Sequence, residues 1–288
     1  MDPLFLKQVK EDVARALAED VGGADLTANL VPADQKAHAR VLARENAVIC
    51  GRPWFDEVVR SQVPDAQIEW RVQEGQRCEV NQVVVDIQGS ARGLLTAERS
   101  ALNFLQMLSA VATKTAEFVA LVEGSQARIV DTRKTLPGLR RAQKYAVTQG
   151  GGLNHRMGLY DAILIKENHI AAAGGIAPVL AQAQAVARQV EFVQIEVETF
   201  EQLREALACG AEMILLDNMN PAQLREAVRI NAQFAQEHRC KPAILESSGG
   251  ISREGLRELA QTGVDRISIG ALTKDVKAVD FSMRFEVL

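Results

Sequence analysis

Residues 213–238 read MILLDNMNPAQLREAVRINAQFAQEH. A run of four apolar residues ends in Asp217, a short polar loop follows, and from Pro221 apolar residues recur every three or four positions. The first part has the length and content of a buried strand, and the last part has the period of an amphipathic helix. The same pairing repeats on both sides. Short apolar strands are predicted at RIVD (128–131), AILIK (162–166), FVQIEVE (192–198), AILE (243–246) and RISIG (266–270), and helices at 199–210 and 252–263. Strands alternating with helices imply parallel pairing through βαβ crossovers. So many units in one stretch favour an α/β barrel, complete or incomplete, over an open sheet.

Upstream the character changes. Leu102, Leu105, Leu108, Val111, Thr115, Phe118 and Val122 step by three or four through one long helix predicted over 96–123, which Gly124 stops. The preceding hundred residues read as mostly extended. In QIEWRVQEG (67–75) Ile68, Trp70 and Val72 alternate with Glu69, Arg71 and Gln73, and VVVDIQG (83–89) forms another strand ended by Gly89. These stretches predict an antiparallel or mixed sheet in a first domain, after an N-terminal helix.

The chain has 288 residues, 47% of them hydrophobic, and a formal net charge of -4, which argues against a general nucleic-acid or membrane-surface binder. Cys50, Cys78, Cys209 and Cys240 are scattered without a CxxC pair, as expected of structural thiols in a reducing compartment. The first twenty residues lack the pattern of a signal peptide, and no apolar run approaches a membrane span, so a cytoplasmic protein is expected.

Against that acidic total, DTRKTLPGLR (131–140) concentrates cations, and Arg141 and Lys144 follow. Arginine forks bind carboxylates or phosphates in two-pronged fashion and lysine supplies a compact charge. Arg133 and Lys134 follow a strand end beside a Pro-Gly turn, whereas Arg140, Arg141 and Lys144 read equally as a solvated helix face. The predicted strands finish in Asp131, Lys166, Glu196 or Glu198, Asp217, Glu246 and Gly270. The carboxyl ends of barrel strands form the active-site face, so this rim is the candidate site. In GGGLNHRMGLYDAILIKENHI (150–170) His155 and Arg156 read as carboxylate-binding groups, and His169 as structural. Glu196 and Glu198, which alternate on one face of their strand, and Asp217 suit a magnesium ion held together with substrate phosphates. Ser248, Gly249, Gly250 and Gly270 follow the last two strands, where backbone N–H groups of such barrels often hold phosphate.

DTRKTLPGLR, GGGLNHRMGLYDAILIKENHI, LLDN, LESSGGI and GALT, with LLTAERSALNFLQ and DFSMRF, resemble in order the signature of the quinolinate phosphoribosyltransferases. That resemblance implies an N-terminal α/β sandwich domain (1–112, joined by 275–288) and an open, seven-stranded α/β barrel (113–274). It implies a pentosyltransferase that joins quinolinate to phosphoribosyl pyrophosphate with loss of pyrophosphate and carbon dioxide, giving nicotinate mononucleotide for NAD biosynthesis. It further implies Mg²⁺ as cofactor and a homodimer, or a hexamer of dimers, in which Arg99 serves the neighbouring subunit's site. Arg99, Arg133, His155 and Arg156 would hold the carboxylates of quinolinate, with Thr132 nearby. Lys134 and Lys166 would contact substrate and phosphoribosyl oxygens, Glu196 (favoured over Glu198) and Asp217 the ribose and the metal, and Ser248, Gly249, Gly250 and Gly270 the 5′-phosphate. Three rivals remain: a barrel aldolase or decarboxylase with Lys166 as Schiff-base nucleophile, a same-fold phosphoribosyltransferase for another heterocyclic base, and a non-catalytic phosphoribosyl-metabolite binding protein.

Overall fold

The computed structural model describes residues 2–288. The first part of the chain supplies α1 (Pro3–Asp20), β1 (Lys36–Ala43), β2 (Ala47–Val48), α2 (Arg52–Gln62), β3 (Gln67–Trp70), β4 (Arg77–Cys78), β5 (Val83–Ser90) and α3 (Ala91–Leu121). Strands and helices then alternate: β6 (Arg128–Val130), α4 (Arg140–Gln149), β7 (Ile163–Ile165), α5 (Glu167–Ala173), α6 (Ile176–Ala185), β8 (Val193–Val197), α7 (Phe200–Ala208), β9 (Met213–Asp217), α8 (Pro221–His238), β10 (Ile244–Ser248), α9 (Leu256–Ala260), β11 (Arg266–Ser268), α10 (Ala271–Lys274) and β12 (Phe281–Val287). The chain forms two compact units. One comprises the residues up to Ala116 with Thr135–Gly151 and Leu272–Leu288, and the other Glu117–Lys134 and Gly152–Ala271.

In the first unit an antiparallel sheet runs β12-β1-β5-β3. Period-two alternation on β1 sends Ala37, Ala39, Val41 and Ala43 into the core, all fully buried, while His38 and Arg40 point the other way to meet Asp86 and Glu286. The long helix starts at Ala91, not Thr96, because β5 passes into it without a loop. Gly93 permits that passage: a Cβ there would lie 2.4 Å from a Val63 methyl and 2.8 Å from the Gln62 carbonyl oxygen. Gly89 therefore does not end the strand, which reaches Ser90.

In the second unit six strands run parallel in the order β6-β11-β10-β9-β8-β7. Their apolar content reflects burial on both faces: Ile195, Ile214, Leu216 and Ile267 are fully buried. Leu153 adds a single parallel bridge to Val130 on the outer side of β6. This bridge takes the seventh strand's place, since the glycines before it and the turn after it leave only one paired residue. Among the described residues nothing pairs Leu153 with β7, so the parallel sheet stays open. Capping residues set where the helices begin. Asn220 accepts from the Ala222 and Gln223 N–H groups ahead of α8, and Thr199 and Gln202 form a reciprocal cap on α7. No helix is long and apolar enough to cross a membrane among the described residues.

Candidate active site

The strands of the second unit end in a common rim, and twelve of the thirteen residues expected at the site belong to this unit. The exception is Arg99, an exposed residue of α3 in the first unit.

Lys166 follows β7 and caps α5. Its Nζ donates to Glu196 Oε2 at 2.8 Å, with the lysine side chain 44% exposed and the glutamate 10%. Glu198 stands apart from that pair: it is exposed, and its backbone N–H donates to Gln202 Oε1. Asp217 closes β9. Partial burial pushes its carboxyl above the usual aspartate range, the charges of Lys166 and Lys134 pull it down, and Glu198 and Glu167 push it up. Two lysines and two carboxylates from the ends of four different strands, or the residues just after them, thus converge.

Arg133 and Arg156 form the cationic side. Arg156 is buried, its Nη1 donates to the Ala162 carbonyl at 3.3 Å, and burial followed by the charge of Arg133 lowers its pKa. The Asp161 carboxylate acts in the opposite sense and offsets part of that lowering.

His155 is also buried, and both ring nitrogens are engaged. Nδ1 accepts from the Arg156 N–H at 2.8 Å, so the neutral ring carries its proton on Nε2 and donates to Gln194 Oε1 at 2.8 Å. The ring stands edge-on to Phe192, and its backbone N–H donates to Asp131 Oδ1. Gln194 passes the chain to Glu246 Oε2 at 3.3 Å, and Arg266 Nε lies 3.0 Å from the same oxygen.

Two expectations change here. Glu246 was predicted at the end of its strand, but β10 continues to Ser248, so Glu246 is fully buried inside the sheet with Arg266 as its ion partner. Asp131 is also fully buried and bonds the His155 backbone. Both carboxylates brace the rim from below. The cations of DTRKTLPGLR also divide: Arg133 and Lys134 lie in the second unit, while Arg140, Arg141 and Lys144 lie in the first. Lys144 is fully buried and not part of a solvated face, Arg140 donates to Thr135 Oγ1, and Arg141 is exposed. His169 accepts from the Lys166 N–H at the start of α5, the structural role expected of it.

Thr132 Oγ1 accepts from the Lys134 N–H at 3.1 Å. Gly270 faces both residues: a Cβ would lie 2.9 Å from Lys134 Cδ and 3.5 Å from Thr132 Oγ1. Ser248 is the last residue of β10, and Gly249 and Gly250 follow with φ of 101° and 54°, left-handed values that favour glycine. Gln194 was missed by sequence reasoning, yet a signal existed. It sits two residues before Glu196 on an otherwise apolar strand, hence on the same face, and a polar side chain there needs a buried partner. Among the described residues no group of three or more His, Cys, Asp and Glu side chains is arranged to hold a metal by itself.

An open parallel α/β barrel whose rim gathers paired arginines, two lysines and two carboxylates defines a protein built to bind a small polyanion and act on it. Comparison with known proteins narrows the class. Residues 111–284 match the model of the quinolinate phosphoribosyl transferase C-terminal domain and residues 25–109 that of its N-terminal domain. The chain belongs to the quinolinate phosphoribosyltransferase family. It is 39% identical over 278 residues to a probable nicotinate-nucleotide pyrophosphorylase [carboxylating] of Bacillus subtilis, covering 96% of this chain and 93% of that one. It is 42% identical over 280 residues to the nicotinate-nucleotide pyrophosphorylase [carboxylating] of Mycobacterium leprae, covering 95% and 96%. The solved nicotinate-nucleotide pyrophosphorylase of Francisella tularensis superposes with a TM-score of 0.92 at 40% identity, covering 98% of this chain and 97% of that one.

Proposed function

We propose that this protein transfers the phosphoribosyl group of phosphoribosyl pyrophosphate to quinolinate with decarboxylation, giving nicotinate mononucleotide, pyrophosphate and carbon dioxide in NAD biosynthesis. The observation that carries the reading is the juxtaposition of Arg133 with buried Arg156 on a rim that also holds the Lys166–Glu196 pair and Asp217. The two carboxylates of a pyridine dicarboxylate match a pair of guanidinium groups, and the lysines match phosphoribosyl oxygens.

The chemistry follows from these groups. Arg133 and Arg156, with Thr132 beside them and His155 bracing the Arg156 backbone, orient the pyridine so that its nitrogen faces C1 of the ribose. The nitrogen forms a bond to C1 as the bond from C1 to pyrophosphate breaks. Positive charge develops on the ribose, and Glu196 and Asp217 stabilise it. The pyridinium then accepts the electron pair of the departing 2-carboxylate, carbon dioxide leaves, and the ring carbon takes up a proton. Ser248, Gly249, Gly250 and Gly270 receive the 5′-phosphate through backbone N–H groups. Lys134 and Lys166 hold phosphoribosyl oxygens.

Mg²⁺ fits this donor set, because magnesium is commonly bound by one or two carboxylates together with substrate phosphates. Glu196 and Asp217 would hold it, where it would neutralise charge on the pyrophosphate group. In a homodimer, or a hexamer of dimers, exposed Arg99 would add a cation to the neighbouring subunit's site. Cysteines without disulfides accord with a cytoplasmic location.

The test is release of labelled carbon dioxide from carboxyl-labelled quinolinate, with each of phosphoribosyl pyrophosphate, Mg²⁺ and protein omitted in turn, and with nicotinate replacing quinolinate in a parallel reaction. Release that requires every component, and no nucleotide from nicotinate, is the expected result. Absence of release from folded protein would overturn the proposal and point to another heterocycle or to binding without turnover.

A further inference from the structure

Asn218 follows Asp217 at the end of β9 and has a left-handed backbone, φ 55°, a region open at low cost to few residues besides glycine, asparagine and aspartate. Three contacts fix it there. Its backbone N–H donates to the Ser248 carbonyl at 2.9 Å, and its Nδ2 donates to Asp217 Oδ2 at 2.7 Å. The third is steric: Asn218 Oδ1 lies where a side chain on Gly249 would begin, 2.1 Å from an ideal Cβ. Asp217 and Ser248 are themselves register partners in the parallel ladder. One side chain therefore touches the strand-end carboxylate and the glycine loop of the adjacent strand.

We propose that Asn218 is a positioning residue which ties the Asp217 carboxylate to the Ser248–Gly249–Gly250 loop, so that the carboxylate facing the ribose and the loop receiving the 5′-phosphate are set as one unit. The inference rests on the functional reading above. A plain loop closure needs only the backbone bond to Ser248. The amide bond to Oδ2 does something more, because it occupies one carboxylate oxygen and thereby sets the direction of the other. The fit of Oδ1 against Gly249 leaves room for no residue but glycine, which lets the loop backbone come within contact of the amide. A shift of either strand end is passed to the other through this side chain.

Asn218→Gly keeps the left-handed backbone and removes the amide. Asn218→Asp keeps the shape and replaces the donor with a second negative oxygen beside Asp217. Both would be compared with wild type in kcat, in KM for each substrate, in thermal midpoint, and in the affinity of ribose 5-phosphate measured calorimetrically without metal. The expected result for Asn218→Gly is a kcat lower by about tenfold or more and ribose 5-phosphate binding weakened several-fold, with KM for quinolinate within about twofold of wild type and the thermal midpoint little changed. Asn218→Asp should lose at least as much kcat. Gly249→Ala supplies a coupling test: its loss should be smaller in the Asn218→Gly background than alone, because the clashing oxygen is gone. Ribose 5-phosphate affinity and kcat of Asn218→Gly within about twofold of wild type, or strictly additive losses with Gly249→Ala, would overturn the inference. If wild type released no carbon dioxide, the functional reading would fall, while the ribose 5-phosphate and coupling measurements would still decide whether Asn218 positions the loop.

Discussion

Glu246 and Arg266 are register partners on β10 and β11, and their side chains meet beneath the rim with Nε 3.0 Å from Oε2, the carboxylate wholly closed off from solvent. The N–H is not aimed at that oxygen, so the contact is ionic without a well-formed hydrogen bond, and Glu246 Oε1 and Arg266 Nη2 have no hydrogen-bond partner among the described residues. Removing one member of a buried pair leaves the other charge uncompensated, at a cost of about 3–5 kcal/mol. Glu246→Leu is expected to lower the urea midpoint accordingly, and Glu246→Leu with Arg266→Met to recover most of the loss. A double variant no more stable than Glu246→Leu alone would show that the cost lies in packing and not in charge.

The Lys166–Glu196 bond has the opposite character. The lysine side chain is nearly half exposed, and pairs of that kind contribute about 0–1 kcal/mol to stability. Lys166→Ala should leave the unfolding free energy almost unchanged while lowering kcat/KM on the order of 10²-fold, since the lost cation acts on charge in the site. Chemical denaturation and steady-state kinetics on the same preparation would separate the two effects. A large loss of stability with turnover retained is the contrary outcome.

Gly270→Ala tests how closely Lys134 is packed. The added methyl would begin 2.9 Å from Lys134 Cδ, part of a flexible chain that can move aside. The fold should tolerate the change and the lysine should be displaced, with kcat/KM falling about tenfold at an unaltered thermal midpoint. Kinetics equal to wild type would mean that Lys134 works from another position.

Glu74 accepts from the Gly51 and Arg52 N–H groups at the start of α2, beside the Tyr145 hydroxyl and the Cys50 thiol. Burial is the largest influence and raises its carboxyl above the usual range, with those hydrogen bonds pulling it back. A carboxyl raised by folding holds its proton more tightly in the folded state. It therefore costs stability above its folded pKa, and the cost is relieved as pH falls through that value. Wild type should gain stability relative to Glu74→Gln as pH falls through the raised folded value toward the unfolded glutamate value near 4.3. Parallel stability curves for the two proteins over that window would refute the assignment.

Cysteine reactivity should follow burial. Cys50 and Cys78 are buried and their thiols are raised by desolvation, Cys209 is intermediate, and Cys240 is exposed. Because the thiolate is the reactive form, a disulfide reagent applied to native protein should label Cys240 first, Cys209 more slowly, and Cys50 and Cys78 only after unfolding. Mass mapping of the labelled sites provides the check.

Much of this was legible in the chain because it rests on local pattern. The run MILLDNMNPAQLREAVRINAQFAQEH marks β9 and α8 by period alone, and the same rule locates β6, β7, β8, β10 and β11, since strands buried on both faces must be apolar and their connecting helices must carry one apolar stripe. The rim residues Lys166 and Asp217 were legible for the same reason, each a charge closing an apolar run, although the same signal marked Asp131, which is fully buried and bonds the His155 backbone. Sequence spacing is silent about distances across the sheet. That Lys166 chooses Glu196 and that Gln194 carries His155 down to Glu246 depend on strand order and register, which bring together residues 30 to 52 positions apart. Glu246 looked like a rim acid because its strand was read as ending there. Pairing with β9 and β11 carries β10 two residues further, and backbone hydrogen bonding across a sheet is a property of neighbours that no single strand contains.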